Sequence, residues 1–277
     1  MQTPASQDGR GSPDEPRRIA LVTGAARRLG QVIALALARD GWDIGVHFGH
    51  SQAEAEQTAE RIRALGRRAV CLQARLEDEA AVRTLVPRLA AALGPVTGLV
   101  NNASRFVHDD PLTVTAASLS EHLLPNLVAP LLLSQALHRG LPATGPASPC
   151  AVIVNLLDQK LGNLNPDFLS YTVAKAGLAA ATTMLAQALA PRVRVVGVSP
   201  GLTLPSYLQD DAAFRAAHAR HAPLGASSSP EDVAAAVVFA MNNRSMTGTV
   251  LVVDGGQHLL GLPRDVSLLP EPADARG

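Results

Sequence analysis

Short apolar runs alternate along this chain with longer amphipathic stretches. Arg18–Val22 (RIALV) is a brief apolar run ended by Thr23-Gly24, and similar runs recur at Asp43–His47, Ala69–Gln73, Gly98–Asn101, Ala151–Leu157, Val193–Val198 and Thr249–Val253. Runs of this length, apolar at nearly every position, predict strands buried on both faces. Between them lie helical stretches: Gln31–Asp40 closed by Gly41, a helix entered at Ser51 and ended at Gly66, one from Glu77 or Asp78 to Gly94, and long helices over Leu119–His138 and Ser170–Leu189. Two more follow at Asp210–His221 and Glu231–Met241. Ser51 and Glu54 stand at capping-box spacing. Strands alternating with helices predict right-handed crossovers and one doubly wound α/β domain, with a mostly parallel seven-stranded sheet and helices on both faces. In such sheets ligands bind beyond the carboxyl ends of the strands, so residues just after strands are the candidates for function.

Composition narrows this picture. The 277 residues are 47% hydrophobic, enough for a full core in one domain. Basic and acidic residues balance at 24 each, which gives no basic surface for nucleic acid. No apolar run reaches the ~20 residues of a membrane span; LVAPLLLSQAL (127–137) comes nearest. Two cysteines, Cys71 and Cys150, are read as thiols of a reducing, cytoplasmic compartment. Residues 1–17 are polar, Pro- and Gly-containing, with no signal-like apolar core, and are expected to be disordered. The domain is placed at 18–260 and a Pro- and charge-rich tail at 261–277. No metal site is expected.

Four post-strand segments carry chemistry. Thr23-Gly24-Ala25-Ala26-Arg27-Arg28-Leu29-Gly30 joins the first strand to a helix; glycine at 24 allows a tight turn, glycine at 30 close packing, and the helix N-terminus suits a pyrophosphate. After the second strand stands His47-Phe48-Gly49-His50-Ser51 with no acid. A carboxylate there would bond ribose hydroxyls and repel a 2′-phosphate, so its absence together with Arg28 favours NADP(H). The fourth strand ends in Asn101-Asn102-Ala103-Ser104, followed by Phe106. Tyr171-Thr172-Val173-Ala174-Lys175 places Tyr171 and Lys175 on one helical face, and Asp158 follows the fifth strand.

Together these segments resemble the short-chain dehydrogenase/reductase family over residues 18 to about 260, and within it the pteridine reductases. Arg28 departs from the family's TGxxxGxG, and TGAARRLG is similar to the TGAAKRLG-type loop of the pteridine reductases. Ser104, Phe106 and Asp158 match that subclass as well, whereas His50 replaces an arginine and Arg105 a serine. The resemblance implies a Rossmann-type sheet of order 3-2-1-4-5-6-7. It implies a cofactor site of Gly24, Arg28, Leu29, Gly30, His47, His50, Ser51, Asn102, Ala103, Ser104, Tyr171, Lys175, Pro200 and Gly201. The implied catalytic set is Asn126, Asp158, Tyr171 and Lys175, with Lys175 on the nicotinamide ribose and Asn126 holding a relay water. Arg28, Ser104, Phe106, Asp158, Tyr171 and Tyr207 are expected at the substrate.

Carbonyl-reducing members have serine where this chain has Asp158. An ionised carboxylate only accepts hydrogen bonds and repels a developing oxyanion, so Asp158 suits a ring with N–H groups and a C=N bond. Tyr171 is expected to donate the proton, its pKa lowered by the Lys175 ammonium. The reading is an NADPH-dependent reductase of a dihydropterin such as dihydromonapterin or dihydrobiopterin, assembled as a homotetramer. A reductase of another small carbonyl or imine and a non-catalytic NADP-binding sensor or scaffold stand as alternatives.

Overall fold

A computed structural model describes residues 17–142, 150–205, 207–208 and 211–269. Residues 1–16 of the segment expected to be disordered, most of the loop at 140–149 and the end of the C-terminal tail lie outside the described residues. Seven strands, β1 (Ile19–Val22), β2 (Asp43–Phe48), β3 (Ala69–Gln73), β4 (Gly98–Asn101), β5 (Ala151–Leu156), β6 (Val193–Pro200) and β7 (Val250–Val253), form one sheet. The order is β3-β2-β1-β4-β5-β6-β7 and every pairing is parallel, as expected for a doubly wound Rossmann-type domain.

The strand sequences explain why both faces are covered. Side chains alternate across a strand, so Ala20, Val22, Ile44, Val46, Val154 and Val196 point to one core, shared with α1 (Arg28–Arg39), α2 (Gln52–Ala64) and α8 (Pro230–Asn242). Ile19, Leu21, Leu99, Ile153 and Val195 point to the other, against α3 (Glu79–Leu93) and α5 (Ala129–Gly140). A strand apolar at every position is the sequence trace of this two-sided burial.

Helix ends follow local rules in places and depart from them in others. Asp78 caps α3 by accepting from the N–H groups of Ala80 (2.9 Å) and Ala81 (3.2 Å). A capping box of Ser229 and Asp232 opens α8. The box expected at Ser51 and Glu54 is not formed: Ser51 is the N-cap of α2, but its side chain makes no capping bond. The single helix expected over 119–138 is instead α4 (Ala116–Leu123), a π turn (Leu124–Val128) and α5. Pro125 and Pro130 bracket the change; neither has an N–H to continue an α-helical ladder, and between them the hydrogen-bond register widens from i→i+4 to i→i+5, the Ala129 N–H reaching the Leu124 carbonyl. The remaining helices are α6 (Leu169–Leu189) and α7 (Asp211–Arg220). Among the described residues, no helix is long and apolar enough to cross a membrane.

Candidate active site

The loop after β1 is shaped by glycine backbone. Gly24 has φ +65°, and a Cβ on Gly30 would lie 2.1 Å from the Gly24 carbonyl oxygen, so nothing larger than glycine fits unless the loop moves. Arg28, the first residue of α1, has φ 54°, a left-handed conformation that glycine adopts without cost and arginine does not. Its guanidinium donates to the Pro205 carbonyl at 2.7 Å, reaching across the cleft to the loop after β6. Thr23 Oγ1 accepts from the N–H groups of Asn102 (2.9 Å) and Ala103 (3.0 Å), and Asn102 Nδ2 donates to the Thr23 carbonyl at 2.9 Å. These bonds fix the ends of β1 and β4 side by side.

His47 was expected at the cofactor; the structure puts it beneath the loop instead. It is buried, its Nδ1 accepts from the Gly24 N–H at 3.0 Å, and its Nε2 lies 3.2 Å from the Ala74 carbonyl. That network assigns the neutral tautomer protonated on Nε2, and burial lowers the imidazole pKa to about 4. His47 therefore acts on the loop's geometry. His50 is exposed and Ser51 half-buried at the edge beyond β2.

On the other side of the sheet's carboxyl edge, β5 delivers Asp158 and α6 delivers Tyr171 and Lys175. Tyr171 Oη donates to Asp158 Oδ2 at 2.6 Å, the Lys160 N–H donates to Asp158 Oδ1 at 2.8 Å, and Lys175 Nζ donates to the Leu156 carbonyl at 2.6 Å. Burial raises the Asp158 carboxyl above its ordinary range, against the stabilising bonds from Tyr171 and Lys160 and the charge of Lys175. Burial, together with the Asp158 charge, pushes the Tyr171 phenol well above 10. Burial lowers Lys175 to about 8. The tyrosine acidified by lysine that the sequence suggested is thus replaced by a different arrangement. The carboxyl and the phenol are joined by one short hydrogen bond in which the phenol donates and Asp158 accepts, and burial strengthens the hold of the pair on that shared proton.

Asn126 sits in the π turn, buried, with Oδ1 accepting from the Arg105 N–H (2.8 Å) and Nδ2 donating to the Arg105 carbonyl (2.9 Å). Its side chain therefore clamps the segment that carries Ser104 and Phe106. Pro130, four residues on, has no N–H to offer the Asn126 carbonyl. Phe106 stacks on Phe168 (centroids 4.1 Å apart, planes at 12°) and meets Tyr171 edge-on at 4.7 Å.

The cleft, about 270 Å³, gathers Arg28, Leu29, Asn102, Ser104, Phe106, Asp158, Tyr171, Lys175, Pro200 and Gly201 from the expected set. Gly24, Gly30 and Ala103 shape the loop behind it. Tyr207 is largely exposed; its Oη accepts from the His108 N–H at 2.9 Å, tying the loop after β6 to the segment after Phe106.

Two features escaped the sequence reading. Buried Asp109 accepts from the Ser170 N–H at 2.9 Å and from the hydroxyls of Ser170 and Ser118, supplying the start of α6 with a cap that its own N-cap, Phe168, cannot give. Residues after Gly261, set apart as a tail, also line the cleft through Leu262, Arg264, Asp265, Val266 and Ser267.

Comparison with known proteins agrees with this architecture. The family model described as "Enoyl-(Acyl carrier protein) reductase" matches residues 24–258. Pteridine reductase 1 of Leishmania tarentolae is 34% identical over 293 residues, covering 90% of this chain and 98% of its own length. The 2-dehydro-3-deoxy-D-gluconate 5-dehydrogenase of Escherichia coli is 30% identical, covering 86% and 94%. The crystal structure of FolM alternative dihydrofolate reductase 1 from Brucella canis, complexed with NADP, superposes with a TM-score of 0.82 at 38% identity, covering 88% of this chain and 94% of that one. The chain belongs to the short-chain dehydrogenase/reductase family of NAD(P)-dependent oxidoreductases.

Proposed function

We propose that this protein is an NADPH-dependent reductase that converts a dihydropterin to the tetrahydropterin. The observation that carries the reading is the 2.6 Å Tyr171–Asp158 hydrogen bond in the cleft. A carboxylate at this place disfavours the oxyanion of ketone reduction and favours a ring bearing N–H donors. The residues present fit a nicotinamide dinucleotide. The glycine-shaped turn and the start of α1 suit the pyrophosphate. Ser51, with its hydroxyl free of capping duty and no acid beside it, suits a 2′-phosphate together with His50, and Arg28 adds positive charge at the mouth.

NADPH, when bound, supplies the hydride that adds to the carbon of the substrate C=N bond. Phe106 offers the ring face not covered by Phe168 to a planar substrate. Asp158 accepts from the substrate's N–H groups, and the Asp158–Tyr171 pair gives a proton to the ring nitrogen as negative character develops there. Lys175 holds a positive charge beside the pair below about pH 8, and its ammonium would bind the nicotinamide ribose. A water on the Asn126 carbonyl returns the proton to the pair. Val173 and Met184, exposed on one face of α6, are read as part of a subunit contact in a homotetramer.

The experiment is NADPH oxidation by the purified protein with dihydromonapterin and with dihydrobiopterin, each repeated with NADH and beside a panel of small ketones. The expected result is pterin turnover selective for NADPH; ketone turnover without pterin turnover would contradict the reading. The dehydrogenase activity in the name of the Escherichia coli relative supports the carbonyl alternative, and Asp158 weighs against it.

A further inference from the structure

The chain beyond Gly261 returns across the mouth of the cleft and is fastened there by two charge pairs, each with one member buried in the connection beneath it. Arg264 grips Asp167 in a fork, Nε to Oδ2 and a terminal nitrogen to Oδ1, each at 2.8 Å, while the Asp265 N–H donates to Asp167 Oδ2 at 2.8 Å. Asp167 is 1% exposed. Seven residues before Asp167, Lys160, 4% exposed, extends its ammonium to Asp265 Oδ2 (3.1 Å) and Asn165 Oδ1 (2.6 Å). Asn163 Oδ1 accepts from the Leu262 N–H at 3.1 Å, and Asp265 Oδ1 accepts from the N–H (3.1 Å) and hydroxyl (2.8 Å) of Ser267.

The anchors Lys160, Asn163 and Asp167 all belong to the connection that runs from Asp158 to Tyr171. Lys160 carries both halves of the coupling, since its N–H holds Asp158 and its ammonium holds Asp265. An unpaired ammonium this deeply buried is costly, so Asp265 and Lys160 favour each other's position strongly. We infer that Asp265 is a positioning residue: through Lys160 it locks the Asp158–Tyr171 connection and makes Leu262–Ser267 the outer wall of the substrate cleft. This rests on the proposed function in one respect, that the Asp158–Tyr171 pair is the proton donor.

An electrostatic consequence follows. The charged groups facing the pair are Lys175 from α6, Lys160 from the connection, Asp265 from the returning segment and Arg28 from across the cleft. Arg264 is turned to Asp167, with His108 at 3.6 Å on its far side. The Asp265 charge favours the proton-bearing forms of both Asp158 and Tyr171. A donor must be protonated to work, so activity falls as pH rises through the pair's titration. Removing the Asp265 charge, which also leaves Lys160 uncompensated, moves that fall to lower pH.

The test compares Asp265→Asn, Asp265→Glu and Arg264→Gln with the wild type, all NADPH-loaded. Hydrogen exchange is followed over 262–268 and 159–168, together with the pH profile of kcat/KM on a dihydropterin. Asp265→Asn is expected to accelerate exchange in both segments at once and to shift the alkaline limb to lower pH. Asp265→Glu should restore the limb, and Arg264→Gln should raise the pterin KM on the order of tenfold, the loss of about one charge-assisted contact. Wild-type exchange in both segments and a wild-type pH profile for Asp265→Asn would overturn the inference. A wild type that turns over no pterin would overturn the proposed function instead, and the exchange arm would still decide whether Asp265 locks the connection.

Discussion

The two halves of the cleft are built by different means. The half proposed for the cofactor, from β1 to β4, is set by backbone: Gly24 at φ +65°, Gly30 against a carbonyl, and strand ends joined through Thr23 and Asn102. The half proposed for the substrate is set by charged and polar side chains brought together from distant places, with Asp109 under α6, Lys160 on Asp265 and Arg264 on Asp167. A backbone-built site tolerates little change in shape but carries few titratable groups. A side-chain-built site depends on charge, and so on pH and on partners far away in sequence.

The contrast can be broken most severely at Tyr171. Tyr171→Phe keeps the ring against Phe106 and removes the proton, so kcat should fall by about 10²–10⁴, with NADPH affinity from fluorescence titration nearly unchanged. In the other half, Gly30→Ala puts a methyl into the Gly24 carbonyl. NADPH affinity should fall more than tenfold and the unfolding midpoint should drop, as calorimetry and titration would show; an unaltered loop would refute the backbone account. His47 gives a pH signature inside the backbone-built half. Its folded pKa of about 4 lies below the ordinary 6.5, so the unfolded chain binds the proton more readily. The stability it supports is complete above pH 6.5 and is lost as pH falls to about 4, a change of about 3 kcal/mol. Urea unfolding at several pH values should show this slope, and His47→Gln should flatten it. The smallest effect is expected at Ser51→Asp, whose carboxylate would repel a 2′-phosphate and narrow the NADPH-over-NADH preference by roughly tenfold or more, read from the ratio of the two KM values.

The same contrast explains what the sequence revealed. The strands were legible because two-sided burial leaves unbroken apolar runs such as Ile19–Val22, and the loop because Gly24 and Gly30 answer local backbone demands. Tyr171 and Lys175 lie one helical turn apart, so their meeting could be read from spacing. The π turn was not read from the pattern, although Pro125 and Pro130 mark it, because the apolar periodicity runs on through it. His47, at the end of a strand, looked placed for the cofactor and instead turns its ring beneath the loop after β1; nothing local in the sequence distinguishes the two. The pairing of Lys160 with Asp265, 105 residues apart, left no trace in a tail that reads as merely polar.

The central claim is that Asp158 directs this cleft to a C=N substrate, and replacing it with the serine of the carbonyl-reducing members tests that most directly. The measurement is kcat/KM of Asp158→Ser with a dihydropterin and with a small ketone, followed by NADPH absorbance. The account expects pterin turnover to fall at least a hundredfold while ketone turnover holds or rises. Pterin kinetics equal to the wild type would contradict it.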